Sequence, residues 1–134
     1  MKKIVCIILC SLLAFSLCAC GGNVSEAKTH NVESEIYSEE DIKAAIDTIK
    51  EEFKSDWKGC NLTEIYYAGD DRSKDSKDWA DRNNADEVIV LLSSFDVDSS
   101  GGNGSLNPNS TYNDWLWNLV RTNGGKWKHV DHGY

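Results

Sequence analysis

Apolar residues recur along the middle of the chain at intervals of three and four, the spacing of one helix face. The stripe consists of Ile42, Ala45, Ile46, Ile49 and Phe53. Ser38 precedes it as a candidate N-cap, and Asp41 stands where a capping-box acid can reach back. We predict an amphipathic helix from about Ser38 to Trp57, with Gly59 as its stop signal.

Other segments follow the patterns of strands. Residues 62–67 are β-branched and aromatic, residues 86–95 are apolar on both faces, and residues 112–122 and 126–134 flank a hairpin turn at Asn123-Gly124-Gly125. The pattern of residues 73–82 predicts a short second helix whose buried contacts are Trp79 and Ala80. A mobile loop is the alternative. Residues 96–110 are rich in Ser and Gly and predict a loop.

These elements predict one α+β domain over residues 38–134. Its N-terminal amphipathic helix packs on one face of a curved antiparallel sheet of about four strands. The strand at residues 86–95 is apolar on both faces, which is typical of the middle of a sheet that is covered on both sides.

The beginning of the chain predicts export. Lys2 and Lys3 precede an apolar run at residues 4–15, which is shorter than the roughly 20 residues of a membrane span and matches a signal-peptide core. The following Leu17-Cys18-Ala19-Cys20 looks like a lipobox. We expect residues 1–19 to be a cleaved signal peptide; an uncleaved anchor is the alternative.

A lipobox implies that Cys20 becomes the lipid-modified first residue, carrying diacylglyceryl and palmitate-type chains. Two such chains give stable attachment to the cell membrane at its extracytoplasmic face. Residues 20–37 have few apolar groups and predict a flexible tether. The only other cysteine after Cys20 is Cys60, which we expect to be a buried apolar residue.

The net charge of the chain limits the kinds of partner that it can bind. After removal of residues 1–19 the chain has 12 basic and 22 acidic side chains, a net charge of −10. Nucleic acid and anionic headgroups would repel such a chain. We therefore expect no nucleic-acid partner, membrane contact through the Cys20 anchor, and an uncharged or cationic extracellular ligand or protein.

A family resemblance rests on three stretches: residues 85–98, residues 105–112, and the Trp-rich hairpin. Together with the helix opening at Tyr37-Ser38-Glu39-Glu40, they resemble small lipoproteins of Gram-positive gut-type bacteria that share a domain of unknown function. The resemblance covers most of residues 36–134 and implies a cystatin-like fold, as in nuclear transport factor 2. It implies no catalytic residue, and a fold alone selects no function.

The aromatic residues are the candidate binding site. Trp115 and Trp117 share one face of a predicted strand, and Trp127 has the same parity on its partner. They either form core or line a cleft between helix and sheet, together with Tyr66. Tyr112 is predicted on the opposite face, with Leu116 and Val120.

Two motifs weakly suggest metal. Residues 96–101 begin like a calcium loop but lack the acidic twelfth ligand, since Asn107 stands there. His129 and His132 are predicted on opposite strand faces, with Asp131 on the face of His129, which is too few ligands for zinc. We predict no metal site and no cofactor; an Asp131–His129 acid–base pair is the alternative role of this segment.

Two classes of function fit these features. A tethered binding module requires only an anchor and a cleft. A small enzyme of the cystatin-like superfold, isomerase-like or hydrolase-like, would require an ionisable group held in an apolar pocket. The absence of any acid–His–nucleophile spacing favours the binding module.

Overall fold

The computed structural model describes residues 21–102 and 104–134, so the predicted signal peptide and Cys20 lie outside the described part. The elements are helix α1 (Glu39–Asp56), strand β1 (Cys60–Tyr67), helices α2 (Asp70–Asp75) and α3 (Asp78–Arg82), and strands β2 (Glu87–Val97), β3 (Thr111–Arg121) and β4 (Lys128–Gly133). The four strands form one antiparallel open sheet in the order β1-β2-β3-β4. An α+β fold with a helix followed by four antiparallel strands is therefore confirmed.

Helix α1 begins at the predicted capping box. The Ser38 hydroxyl accepts a hydrogen bond from the backbone N–H of Asp41 at 3.1 Å, and the Asp41 carboxylate accepts one from the N–H of Ser38 at 3.2 Å. The predicted stripe packs against the sheet: Ala45, Ile46, Ile49 and Phe53 are buried, and Ile42 is partly buried.

Helix α1 is not the first packed part of the described chain, because residues 21–37 contact the domain before it. Asn23 and Lys28 form parallel bridges to Asn61 and Glu64 at the outer edge of β1. Val24, Ala27 and Val32 pack against the main core. The prediction that this segment has too few apolar groups to pack is therefore wrong, since three small apolar side chains and an open strand edge suffice.

The second face of the sheet is covered by two short helices rather than by one. Ala80 on α3 is buried, as predicted, and forms a small cluster with Val88 and Val120. Trp79 packs against that cluster but stays partly exposed. Strand β2 is therefore covered on both faces along this part of its length, as its continuous apolar pattern predicts.

A β-bulge in β3 changes which residues share a face. Opposite the stretch between Ser93 and Phe95 of β2, the partner strand β3 has one extra residue, and Asp114 adopts a left-handed φ of 55°. Tyr112 therefore joins the face of Trp115, with ring centroids 5.3 Å apart. The prediction that Tyr112 lies on the opposite face is wrong for this reason.

A second bulge, in β4, likewise changes which side of the sheet the histidines face. Asn118 and Leu119 of β3 pair with Asp131 and His129, which leaves Val130 as the extra residue. His129 and His132 consequently face the same side, and Asp131 turns to the other side, where it accepts a hydrogen bond from Asn118 at 3.1 Å. The predicted faces of His132 and Asp131 are therefore wrong.

In residues 21–102 and 104–134 no helix has the length and apolarity needed to cross a bilayer.

Candidate functional site

An open groove of about 1140 Å³ lies between helix α1 and the segment that precedes it. We call it the α1 groove. Residues 29–35 form one wall, and the first half of α1 forms the other. Apolar side chains of Val32, Tyr37, Ile42 and Ile46 line it together with polar and charged residues.

Asp70 fixes the wall opposite the helix. Its carboxylate accepts hydrogen bonds from the Ser34 hydroxyl at 2.6 Å, the Tyr67 hydroxyl at 2.7 Å and the backbone N–H of Glu35 at 2.8 Å. The Ser34 hydroxyl contributes most to holding the pKa of Asp70 below its usual value, and the other two donors add to it. Burial raises the pKa of Tyr67 to about 12, so this phenol stays a donor.

The wall also presents backbone groups that are not paired with any described residue. The N–H and C=O groups of residues 29–33 form no hydrogen bond to any of the described residues. Residues 23 and 28, by contrast, are bonded to the edge of β1. Exposed backbone groups beside an open groove can pair with the backbone of an extended ligand.

The rim of the groove is predominantly acidic. Glu33, Glu35 and Glu39 are exposed lining residues. Of the two lining lysines, Lys43 is paired with Asp47 at 2.6 Å, which neutralises both. The three glutamates therefore outnumber the remaining lysine, Lys50. This negative net charge at the rim favours a neutral or positively charged ligand.

The four predicted site residues do not come together, and none of them lines the α1 groove. Trp117 and Trp127 are 0% and 6% exposed, and both belong to the main core. Their indole N–H groups donate to the Ser93 hydroxyl at 2.7 Å and to the Asp41 carbonyl at 3.0 Å. Tyr66 packs against His30 away from them, with ring centroids 4.3 Å apart and the ring planes tilted by 33°, and Trp115 is partly exposed.

The bulge in β4 creates a histidine pair that the sequence pattern did not predict. Glu52 on α1 contacts His129 Nδ1 at 2.8 Å, and His129 Nε2 lies 3.2 Å from His132 Nδ1. Partial burial of its ring lowers the pKa of His132, and the neighbouring His129 lowers it further. The imidazole of His132 packs near Trp57 and Trp115, with centroids 5.3 and 5.9 Å away.

The other candidate residues have local partners. The Asp98 carboxylate accepts hydrogen bonds from the N–H and hydroxyl of Ser100, while Asp96 accepts one from the Thr111 hydroxyl at 2.7 Å. These two acids therefore do not converge. Cys60 is buried, as expected, and burial raises the pKa of its thiol.

No local pattern identifies the groove in the sequence, because Ser34 and Asp70 are 36 residues apart. Among the described residues, no group of three or more His, Cys, Asp or Glu side chains is arranged to hold a metal ion. Comparison with protein-family models, curated proteins and solved structures finds no match to this chain.

Proposed function

We propose that this protein is an extracytoplasmic lipoprotein, anchored to the cell membrane through Cys20, whose domain binds a ligand in the α1 groove. The observation that carries the binding role is the groove itself, which has the size of a small-molecule or peptide site. The lipobox at residues 17–20 supports the anchor.

We further propose that the domain has a cystatin-like fold with a curved sheet. Helix α1 packed against four antiparallel strands supports this assignment. The bulges in β1, β3 and β4 support the curvature, because bulges bend a strand and increase its twist.

The proposed ligand is an extended peptide, neutral or basic in its side chains. The free backbone groups of residues 29–33 would pair with the peptide backbone. Ile42 and Ile46 on the helix wall would contact its apolar side chains. The acidic rim and the net charge of −10 would select against anions.

The alternative, a small enzyme, has less support from the groove. A carboxyl group that acts as an acid or base near neutral pH needs a raised pKa. Asp70, which lines the groove, has a lowered pKa and is held by three donors. His132 does not line the groove and is exposed. These contacts favour a binding module.

The anchor has a direct test in the native host. Cys20→Ser should release or mislocalise the protein, because the thiol that accepts the lipid is lost, whereas the control Cys18→Ser should leave it in the membrane fraction. Intact-mass measurement of the purified protein should show loss of residues 1–19 and addition of lipid. An uncleaved, unmodified N-terminus would contradict the anchor.

Binding in the groove can be tested by reversing its rim charge. The double variant Glu33→Lys/Glu39→Lys should weaken binding of basic peptides, by about three- to tenfold in Kd, because repulsion replaces attraction at the rim. Calorimetric titration with short basic, neutral and acidic peptides provides the measurement, with oligosaccharides and polyamines as further probes.

The matched control is Asp75→Lys/Asp78→Lys, which makes the same change in net charge on two exposed residues outside the groove. It should leave peptide affinity nearly unchanged at moderate salt, since distant surface charges are screened. If both double variants weaken binding equally, only net charge matters and the α1 groove is not the site. If no peptide binds the wild-type protein, the proposed ligand class is wrong.

A further inference from the structure

One end of the domain brings together the termini of several elements. Cys60 pairs with Val97, Asp96 pairs with Thr111, and Tyr134, directly after β4, stacks on Tyr112 near the start of β3 with ring centroids 6.1 Å apart. The starts of β1 and β3 and the ends of β2 and β4 therefore lie at the same end of the sheet. Helix α1 also ends there, since Cys60 N–H donates to the carbonyl of its C-cap residue Trp57 at 3.1 Å. We call this the anchor end.

The described chain starts at this end, in tight contact with helix α1. The N–H of Gly22 donates to the carbonyl of Phe53 at 3.2 Å. A Cβ atom on Gly21 would lie only 1.4 Å from the carbonyl oxygen of Lys54, so only glycine permits this approach. Cys20 directly precedes Gly21 in the sequence, and consecutive Cα atoms of a chain are about 3.8 Å apart. A lipid on Cys20 would therefore attach close to the anchor end.

An aromatic surface occupies the same end. It consists of Trp57, Tyr112, Trp115 and Tyr134, which we call the aromatic patch. Trp115 contacts the other three, with ring centroids 5.3 to 5.9 Å apart. Tyr134 is 82% exposed, and the other three are partly exposed. The indole nitrogen of Trp115 is itself buried and has no hydrogen-bond partner among the described residues.

We propose that the aromatic patch lies in the interfacial layer of the membrane that holds the Cys20 anchor. This proposal rests on the proposed lipid attachment. Tryptophan and tyrosine concentrate at membrane interfaces, where an apolar ring and a polar group are both accommodated. With Gly21 packed on α1, the anchor fixes which end of the domain meets the bilayer.

The charges around the anchor end fit a contact that is not electrostatic. Lys54 and Lys58 are exposed there, but Asp56, Asp96 and Asp98 are exposed at the same end, so it presents no cationic patch to anionic headgroups. The strongly acidic character of the chain as a whole would oppose attraction to anionic headgroups. Contact through uncharged aromatic rings avoids this repulsion and should persist at high salt.

This orientation leaves the α1 groove accessible. The groove is lined by α1 residues from Glu39 to Lys50, whereas the patch begins beyond the end of the helix at Trp57. At 1.5 Å per residue, Ile42 and Trp57 are separated by roughly 20 Å along the helix axis. The membrane would therefore contact one end of the domain, and the ligand groove would lie above it.

The test uses the full lipidated chain, purified from its host and reconstituted in phosphatidylcholine vesicles. Tyr134→Cys and Lys126→Cys each receive an environment-sensitive fluorophore; Lys126 is exposed near the start of β4, at the opposite end of the sheet. Cys60 is buried and should not react. We expect the label at 134 to emit at shorter wavelength and to be quenched by doxyl-labelled lipid, at low and high salt. The label at 126 should do neither.

A second measurement keeps the patch intact. Part of the intrinsic tryptophan emission of the unsubstituted protein should be quenched by the same doxyl lipid, because Trp57 and Trp115 would lie at the interface. A lipidated, vesicle-bound protein without quenching in either measurement overturns the patch proposal and leaves the anchor standing. A protein without lipid overturns both. Shielding of the label at 134 in cells but not in vesicles would overturn membrane contact in favour of a protein partner.

Discussion

Truncation of Ile49 to alanine should lower the free energy of unfolding by about 2–5 kcal/mol, the cost usual for removing a buried aliphatic side chain. Ile49 is 0% exposed at the centre of the α1 stripe, packed into the core between helix and sheet. The loss combines the transfer energy of the missing methyl groups with the cavity that remains. Urea denaturation followed by far-ultraviolet circular dichroism measures it.

Glu51→Ala is the control on the same helix, two residues further on. Glu51 is exposed, and its contact with Lys54 is a surface ion pair at 3.5 Å. Its removal should change stability by no more than about 0.5 kcal/mol. Equal losses from Ile49→Ala and Glu51→Ala would show that the stripe does not form the packed face of α1.

Replacement of Arg121 by methionine should have the second large effect, a loss of about 2–4 kcal/mol. The side chain of Arg121 is only 10% exposed and joins two carboxylates, Asp41 at 2.8 Å and Glu87 at 2.6 Å. It also lies over the ring of Trp127, 4.3 Å from its centroid. Methionine keeps much of the apolar stem but leaves the two carboxylates without a cation.

The pH dependence of this loss follows from Asp41. The hydrogen bond from Arg121 is the main reason that the pKa of Asp41 is lowered from 3.8. A lowered folded-state pKa gives stability that is present above the unfolded-state pKa and is lost as pH falls through the folded-state pKa. The difference between wild type and Arg121→Met should therefore be full near neutral pH and should shrink below about pH 4.

Arg82→Met provides the comparison, because Arg82 pairs with Asp78 on the surface at 3.3 Å and lies over the ring of Trp79. Both partners in that pair are more than half exposed. Its loss should cost no more than about 1 kcal/mol. Should Arg121→Met cost as little as Arg82→Met at neutral pH, the contacts of Arg121 would not stabilise the fold in the way its geometry indicates.

Several elements were predictable because their signals are local. The capping box at Ser38 and Asp41, the stripe through Ile49 and the Asn-Gly turn at residue 123 each lie within one or two turns of chain. Such patterns act through neighbouring residues and so determine helix α1 and the last hairpin. The net charge and the lipobox prediction also follow from residue types alone.

The faces of the strands depended on the tertiary structure. Alternation assigns faces correctly only while the pairing is regular, and each bulge reverses the parity of the residues beyond it. The extra residues in β3 and β4 placed Tyr112 beside Trp115 and His132 beside His129. Bulge positions depend on how two strands fit across the sheet, so the pattern of either strand alone does not show them.

The groove and the packing of residues 21–37 depended on contacts between distant parts of the chain. The segment has too few apolar side chains, such as Val24 and Val32, to form a periodic pattern that predicts packing. It is nevertheless held in place by bonds to the open edge of β1 and to the carboxylate of Asp70. The sequence by itself determined the helix, the hairpin, the charge and the predicted anchor. Only the tertiary structure decided where the ligand groove lies and which aromatic residues are exposed, because both depend on long-range pairing.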